Sequence, residues 1–168
     1  MTQLALIPDD DAALELRHHP IEQSAEWLKT RDKGKISRDL FTQAIKDALS
    51  QTENPPPRGV AYAEATDAVY KGLCSYTARK LKEALGLPLR ANLRDHLSQP
   101  ALAAIDLVES TSAKEMLARY EELTYEICLQ IIDEIARIVG ETVKKLSARI
   151  GEDIFTGRRL SGAPRLEG

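Results

Sequence analysis

Apolar side chains recur every three or four residues along most of this 168-residue chain, which is the period of an amphipathic α-helix. One such run follows Ser37, a residue type that often begins helices, and predicts a helix over about 37–50. Alternation typical of a β-strand never extends beyond four residues. We therefore predict an all-α fold, a compact bundle of short helices packed on a long C-terminal helix.

Capping residues divide the middle of the chain into shorter helices. Thr66 suits the start of a helix through residue 73, and Ser75 or Thr77 suits the start of a second one through residue 85. Gly86 then provides the left-handed residue that often follows a helix. Ser98 is expected to begin the next helix, with a proline in its first turn.

The longest apolar stripe begins near Pro100 and continues to Ile150. Thr111 and Ser112 form the expected break, and Ser112 is expected to cap one helix that reaches Arg149. A helix of about 37 residues would be about 55 Å long at about 1.5 Å per residue. Gly140 lies within it and indicates a bend or a close approach to a neighbour, because glycine costs about 1 kcal/mol relative to alanine in a helix.

This long helix has two interpretations. Shorter helices of the same chain would cover its stripe in a core, or its excess length would pair with the same helix of a second copy. The apolar spacing is closer to 3.6 than to a strict heptad, which favours a helical-bundle homodimer over an extended coiled coil. The expected dimer seam consists of Met116, Tyr120, Leu123, Ile127, Ile131, Ile135 and Ile138.

Composition divides the chain into three parts. Residues 1–35 are expected to form an N-terminal helical arm that ends in a polar break at 30–35. Residues 36–154 form a single helical domain with a proline-rich linker at 54–59. Residues 155–168 are expected to form a flexible basic tail, because the sequence after Gly151 has little to bury.

The bulk composition limits the class of protein. Aromatic residues make up only 5% of the chain, which favours helices over a β-sandwich. The net charge of −3 gives no overall attraction to nucleic acid or membranes, so any basic surface must be local. Cys74 and Cys128 lack partners at metal-ligand spacing. Without a secretory signal or a run of about 18 apolar residues, the chain is expected to be cytoplasmic, with reduced thiols and no membrane partner.

A local basic cluster lies between residues 67 and 96. Its helix signals at 66–73 and 77–85 have the proportions of a helix-turn-helix, in which the second helix would face duplex DNA. Contacts of these cations with phosphates would depend on salt and little on sequence. The alternative is an ordinary solvated helix with exposed lysines. The candidate nucleic-acid-binding residues are Lys71, Arg79, Lys80, Lys82, Arg90 and Arg94.

Candidate catalytic chemistry is sparse. Asp95 and His96 are adjacent, but neighbours on a helix point about 100° apart, so Asp95 is poorly placed to orient His96. The sequence contains no glycine-rich phosphate loop, nucleophile elbow or zinc signature. We predict that the protein is not an enzyme and needs no metal or cofactor.

Four short segments carry a resemblance to known proteins: ATDAVYKGL at 65–73, TARKLK at 77–82, LGL at 85–87 and NLRDHLS at 92–98. They resemble parts of phage and prophage antirepressors of the BRO type and of the DNA-damage-inducible-protein-D-like group, within residues 62–98. The resemblance implies a DNA-associated regulatory role in phage, plasmid or stress-response control. The resemblance covers none of the larger β-containing N-terminal domain expected of full-length BRO proteins, and no catalytic residue is carried over.

These observations lead to two main functional hypotheses. The first is a DNA-binding or DNA-associated regulatory protein whose partners are double-stranded DNA and a second copy of itself. The alternative is a protein-interaction module, antirepressor-like or antitoxin-like, that grips a partner protein without direct DNA contact. A third hypothesis, an enzyme that uses Asp95, His96 and a distant carboxylate, would need one pocket containing all three.

Overall fold

The computed structural model describes residues 25–162, which form five α-helices, two single-turn 3-10 helices and no β-strand. This confirms the all-α prediction. Residues 1–24 of the expected arm and 163–168 of the expected tail lie outside the described part. The α-helices are α1 (Ala25–Ser50), α2 (Arg58–Cys74), α3 (Ala78–Ala84), α4 (Gln99–Ala118) and α5 (Tyr125–Ile150), and the 3-10 helices are Leu93–His96 and Tyr120–Glu122.

Helix α1 is continuous where the sequence indicated a break. It begins at Ala25, so the predicted start at Ser37 and the break at 30–35 are wrong, and the expected boundary at 35/36 falls inside it. Three charged residues of the expected break, at 32, 33 and 35, are exposed, whereas Trp27, Gly34 and Phe41, at intervals of seven, are buried on the other side. Ser37 is buried within the helix instead of capping it.

Helix α2 begins directly after the prolines, at Arg58, eight residues before the predicted start at Thr66. Ala61, Ala65 and Val69 are buried at a spacing of four residues, so α2 has a regular core-facing side from its first turn. The Thr66 hydroxyl donates a hydrogen bond to the Tyr62 carbonyl inside the helix (2.8 Å), so it does not act as a cap.

The predicted long helix from Ser112 to Arg149 is two helices. Ser112 is fully buried inside α4, and the chain turns between Ala118 and Tyr125. Thr124 is the N-cap of α5 and accepts a hydrogen bond from the Ile127 amide (3.3 Å). The turn contains no glycine or proline, so it could not be recognised from the sequence.

The short elements between α2 and α4 follow their capping residues, as predicted. Thr77 caps α3 by accepting from the Lys80 amide (3.2 Å), and Gly86 has a left-handed φ of 68°. Ser98 caps α4 by accepting from the Ala101 amide (3.3 Å). The linker prolines stand between α1 and α2.

The four long helices form two hairpins, α1 with α2 and α4 with α5, which interlock. Helix α1 runs alongside α4 in the same direction, since Thr30 contacts Gln99 at one end and Arg38 contacts Glu109 further along. Helix α2 similarly runs alongside α5, because Tyr125 contacts Ala61 and residues near Gly140 contact Gly72. Each long helix packs most extensively against a helix of the other hairpin.

Gly72 and Gly140 mark the closest approach of α2 and α5. A Cβ atom on Gly140 would lie 1.8 Å from the Gly72 carbonyl oxygen, and one on Gly72 would lie 2.4 Å from the Ala136 Cβ. The close approach predicted at Gly140 is therefore confirmed.

The segment after α5 contributes to the core, although its sequence indicated little burial. Gly151 ends α5 in the left-handed conformation, and Asp153 Oδ1 accepts hydrogen bonds from the Phe155 and Thr156 amides (2.9 and 2.8 Å). Phe155 is only 3% exposed. The Ser98 hydroxyl also donates to the Ile154 carbonyl (3.0 Å), which fixes this segment, residues 151–160, to the start of α4.

Candidate functional surfaces

Five of the six candidate nucleic-acid-binding residues have solvent-accessible side chains. Lys71 is exposed near the end of α2, and Arg79 and Lys80 are exposed on α3. Lys82 is half-buried on α3, and Arg90 is exposed in the loop that follows. These five residues lie on α3 and on the segments immediately before and after it.

Contacts at both ends fix α3 to its neighbours. The Asp67 carboxylate accepts a hydrogen bond from the Ala78 amide (3.0 Å), which ties the start of α3 to α2 one turn before Lys71. Leu81 is fully buried beneath the helix. At the other end, Lys82 Nζ donates to the Leu89 carbonyl (2.7 Å), which holds the loop next to Arg90 against α3.

Arg94 is directed inward and is separate from this surface. Its side chain is only 13% exposed, and both of its terminal nitrogens donate to Glu109, at 3.1 Å for the pair Nη1 and Oε2. Glu109 is fully buried and also accepts from Arg38 Nη1 (3.0 Å). Arg38 in turn donates to the Thr66 hydroxyl (2.8 Å), so one carboxylate joins α1, α2, α4 and the turn at 93–96.

The structure adds Arg158 to the basic residues around α3. Arg158 Nη2 donates to the carbonyl of Ala84, the last residue of α3, at 2.9 Å. The sequence placed this arginine in a tail, and no local pattern could have indicated that residues 151–160 fold back onto α3. We call Lys71, Arg79, Lys80, Lys82, Arg90 and Arg158 the basic surface.

The two residues considered for catalysis, Asp95 and His96, have different surroundings. The Asp95 carboxylate forms an ion pair with Arg31 (3.2 Å), and the Nδ1 atom of His96 is buried without a hydrogen-bond partner among residues 25–162. Within the same residues, no group of three or more His, Cys, Asp or Glu side chains is arranged to hold a metal ion.

The residues of the expected dimer seam are divided between core and surface. Met116, Leu123 and Ile131 are buried in the core of the single chain, and Ile127 and Ile135 are half-buried. Tyr120 and Ile138 remain exposed, the first in the turn between α4 and α5 and the second on α5. These seven residues therefore do not form one continuous exposed surface.

An apolar groove of about 400 Å³ lies between α1 and α4. Its apolar lining comes from Leu40 and Ala44 on one side and from Met116, Leu117, Tyr120 and Leu123 on the other. Lys114 and Asp47 provide charges among its lining residues. The expected seam residues Met116, Tyr120 and Leu123 thus contribute to a groove.

Comparisons with protein families, with curated proteins and with solved structures found no match to this chain. The resemblance to phage antirepressors therefore stays a prediction based on short segments. None of the helices between residues 25 and 162 combines the length and apolar character needed to cross a membrane.

Proposed function

We propose that this protein is a DNA-associated regulatory protein that contacts the phosphates of duplex DNA through the basic surface. The observation that carries the proposal is the contact of Arg158 with the last residue of α3, the helix that carries the exposed cations Arg79 and Lys80. Lysine and arginine side chains on one element and its direct contacts form the local electrostatic attraction that an acidic chain otherwise lacks.

The form of α3 favours contacts with phosphates over reading of bases. The helix has only seven residues, about two turns, and its Leu81 side is buried against the core. Phosphate contacts position a protein on DNA, whereas sequence is read by side chains that reach into the grooves. We therefore expect affinity that depends strongly on salt and weakly on DNA sequence.

Binding of a fluorescent duplex at low and moderate salt, measured by anisotropy, tests this proposal. The double variant Arg79→Ala, Lys80→Ala removes two exposed cations from α3 and should weaken binding. Each lost phosphate contact should lower the slope of log affinity against log salt by about 0.9. The single variants Lys80→Ala and Lys46→Ala each remove one positive charge. Because Lys46 is exposed on α1 and not on α3, Lys46→Ala is the control and should bind as tightly as the wild type.

Two results would contradict the proposal. One is a wild-type protein without salt-sensitive binding. The other is a double variant that binds as tightly as the wild type while its far-UV circular dichroism remains unchanged.

The apolar groove favours a second candidate function, a protein-interaction module without direct DNA contact. Large exposed apolar surfaces on soluble proteins commonly mark interaction sites. Under this alternative, a stoichiometric partner protein should co-purify with the wild type and be lost with Leu117→Lys. The affinity for duplex DNA should be negligible for the wild type and for Leu117→Lys.

A further inference from the structure

Two stripes of exposed apolar residues flank the groove. Leu117 is 73% exposed, the highest value among the large apolar residues of this surface, and Ile36, Leu40, Leu107 and Tyr120 are each about half exposed or more. Large exposed apolar patches are unusual on soluble monomers and commonly mark interaction sites. We call these five residues and the groove between them the α1–α4 face.

Residue spacing places each stripe on a single side of its helix. Ile36, Leu40, Gln43 and Asp47 follow at intervals of four, three and four on α1. On α4, Leu107, Ser110, Lys114 and Leu117 follow at intervals of three, four and three. Because α1 and α4 are parallel neighbours, the two stripes lie side by side and run in the same direction.

The α1 stripe has opposite charges at its two ends. Lys33 lies seven residues before Leu40, and Asp47 lies seven residues after it. Lys33 is exposed, and the Asp47 carboxylate accepts a hydrogen bond at the surface from the Gln43 amide (2.9 Å). The stripe is therefore positive at one end, apolar at its centre and negative at the other, over about 21 Å at about 1.5 Å per residue.

This pattern is complementary to its own reverse. If a second α1 stripe lies antiparallel with Leu40 against Leu40, each Lys33 faces an Asp47 of the other copy, so two ion pairs close the interface. Symmetric dimers use one self-complementary surface in this way. We propose that the α1–α4 face binds a second copy of this chain in this antiparallel arrangement.

The α4 stripe fits the same twofold-symmetric arrangement, in which the symmetry axis passes at the level of Leu40. The contact between Arg38 and Glu109 places Leu40 at about the level of residue 111, close to the midpoint between Leu107 and Leu117. An antiparallel copy would therefore bring Leu107 against Leu117 of the other chain. Helices of 26 and 20 residues offer a face of the length expected for a specific interface, which buries about 1,200–2,000 Å² in total.

The interface differs from the seam expected on the long C-terminal helix. It uses Tyr120 from that set but moves the contact from α5 to α1 and α4, because Met116, Leu123 and Ile131 are already buried in the single chain. It does not depend on DNA binding, so light scattering without DNA separates its failure from failure of the proposed function.

Charge reversal tests the arrangement directly. Wild type should have twice the 18.6 kDa chain mass by multi-angle light scattering. Lys33→Glu and Asp47→Lys should each shift the protein to monomer, because each variant places like charges opposite each other twice. An equimolar mixture of the two variants should restore a dimer, since both ion pairs then have opposite signs.

Control variants distinguish this interface from other causes of dissociation. Lys46→Glu reverses an exposed charge on another side of α1 and should leave the dimer intact. Leu40→Lys should dissociate it, whereas Ile138→Lys on α5 should not. A monomeric wild type, or a mixture of the two charge variants that stays monomeric, would overturn the proposal. Dissociation by Ile138→Lys but not by Leu40→Lys would place the dimer on α5 and would also refute it.

Discussion

Glu109 shows how a single carboxylate can serve as a joint between helices. It is fully buried on α4 and accepts hydrogen bonds from Arg38 of α1 and from Arg94 of the turn at 93–96. Arg38 is partly exposed, but Arg94 is nearly enclosed. Because an enclosed guanidinium needs a counter-charge, the position of Arg94 depends on Glu109.

We therefore expect Glu109→Leu to lower the free energy of unfolding by about 3–5 kcal/mol, because it leaves Arg94 buried without its partner. The double variant Glu109→Leu, Arg94→Met should recover much of this loss, since it removes both charges. Urea denaturation of the three proteins measures the difference. Glu83→Gln is the control, because the pair of Glu83 with Arg79 is exposed and should contribute less than about 1 kcal/mol. A loss from Glu109→Leu no larger than that of the control would contradict the expectation.

The basic residues show how much of the candidate site could be predicted from the sequence. Exposure of Lys71, Arg79 and Lys80 agrees with their positions opposite apolar neighbours in the helical period, and Arg90 is exposed in a loop. Arg94 could not be distinguished from them, because its partner Glu109 is fifteen residues away in another helix. Arg158 was missed for the same reason, since its contact at Ala84 spans 74 residues.

At the scale of elements, the close approach of α2 and α5 depends on glycine at two positions. The backbone of α5 at Gly140 lies against the Gly72 carbonyl, with no room for a side chain. By contrast, a Cβ on Gly34 in α1 would meet no atom within 4 Å. Gly140 and Gly34 both lie inside helices. Alanine substitutions at these two positions therefore separate the effect of packing from that of helix propensity.

Alanine at these two positions should have opposite effects on stability. Gly140→Ala should lower the free energy of unfolding by about 1–3 kcal/mol or more, because α2 and α5 must move apart to make room for the methyl group. Gly34→Ala should stabilise it by up to about 1 kcal/mol through higher helix propensity. Thermal or urea unfolding followed by circular dichroism measures both. The packing explanation fails if Gly140→Ala is neutral or stabilising.

Element boundaries were predictable where a side chain caps a helix and unpredictable where tertiary contacts decide. Thr77, Gly86 and Ser98 act locally, and the structure agrees at all three. The end of α4 has no comparable signal, because its following turn consists of residues that also suit a helix. The Thr52 hydroxyl on the other hairpin accepts a hydrogen bond from the Tyr125 amide (2.9 Å), a contact that no helical period reveals.

At the scale of the whole molecule, the tyrosines and cysteines whose pKa values are raised by burial lie on the α2–α5 pair. Burial raises the pKa of Cys128 to about 12 and that of Cys74 to about 11, against 9.0 for an ordinary thiol. Burial also raises the pKa values of Tyr70 and Tyr125. The folded state therefore favours the neutral form of each group over the ionised form.

This distribution predicts a loss of stability at alkaline pH. The contribution of the two thiols to the free energy of unfolding is fully present below pH 9.0 and is lost as pH rises from there through about 11 and 12. The reason is that the thiols ionise at lower pH in the unfolded chain than in the folded protein. Urea denaturation at pH 8 and pH 10 should show a smaller decrease for Cys74→Ser, Cys128→Ala than for wild type. An equal decrease in both proteins would exclude the thiols as its source.

The helical class was predictable from the sequence, whereas the pairing of helices was not. A period of three to four residues shows that a helix has an apolar side but carries no information about which helix covers it. The length of the apolar stripe suggested one long helix and a second copy to cover it. In the structure, a turn divides the stripe, and the two hairpins of one chain cover much of it.

The interlocked hairpins also constrain how the protein is made on the ribosome. Phe41 and Ile45 of α1 and Val69 of α2 emerge early, yet the helices that pack most extensively against theirs are α4 and α5. The helix that covers α1 ends at Ala118, and the helix that covers α2 ends only at Ile150. Residues as far as Ile150 must therefore be made before the fold can close, and until then the first hairpin exposes apolar surface of the kind that promotes aggregation.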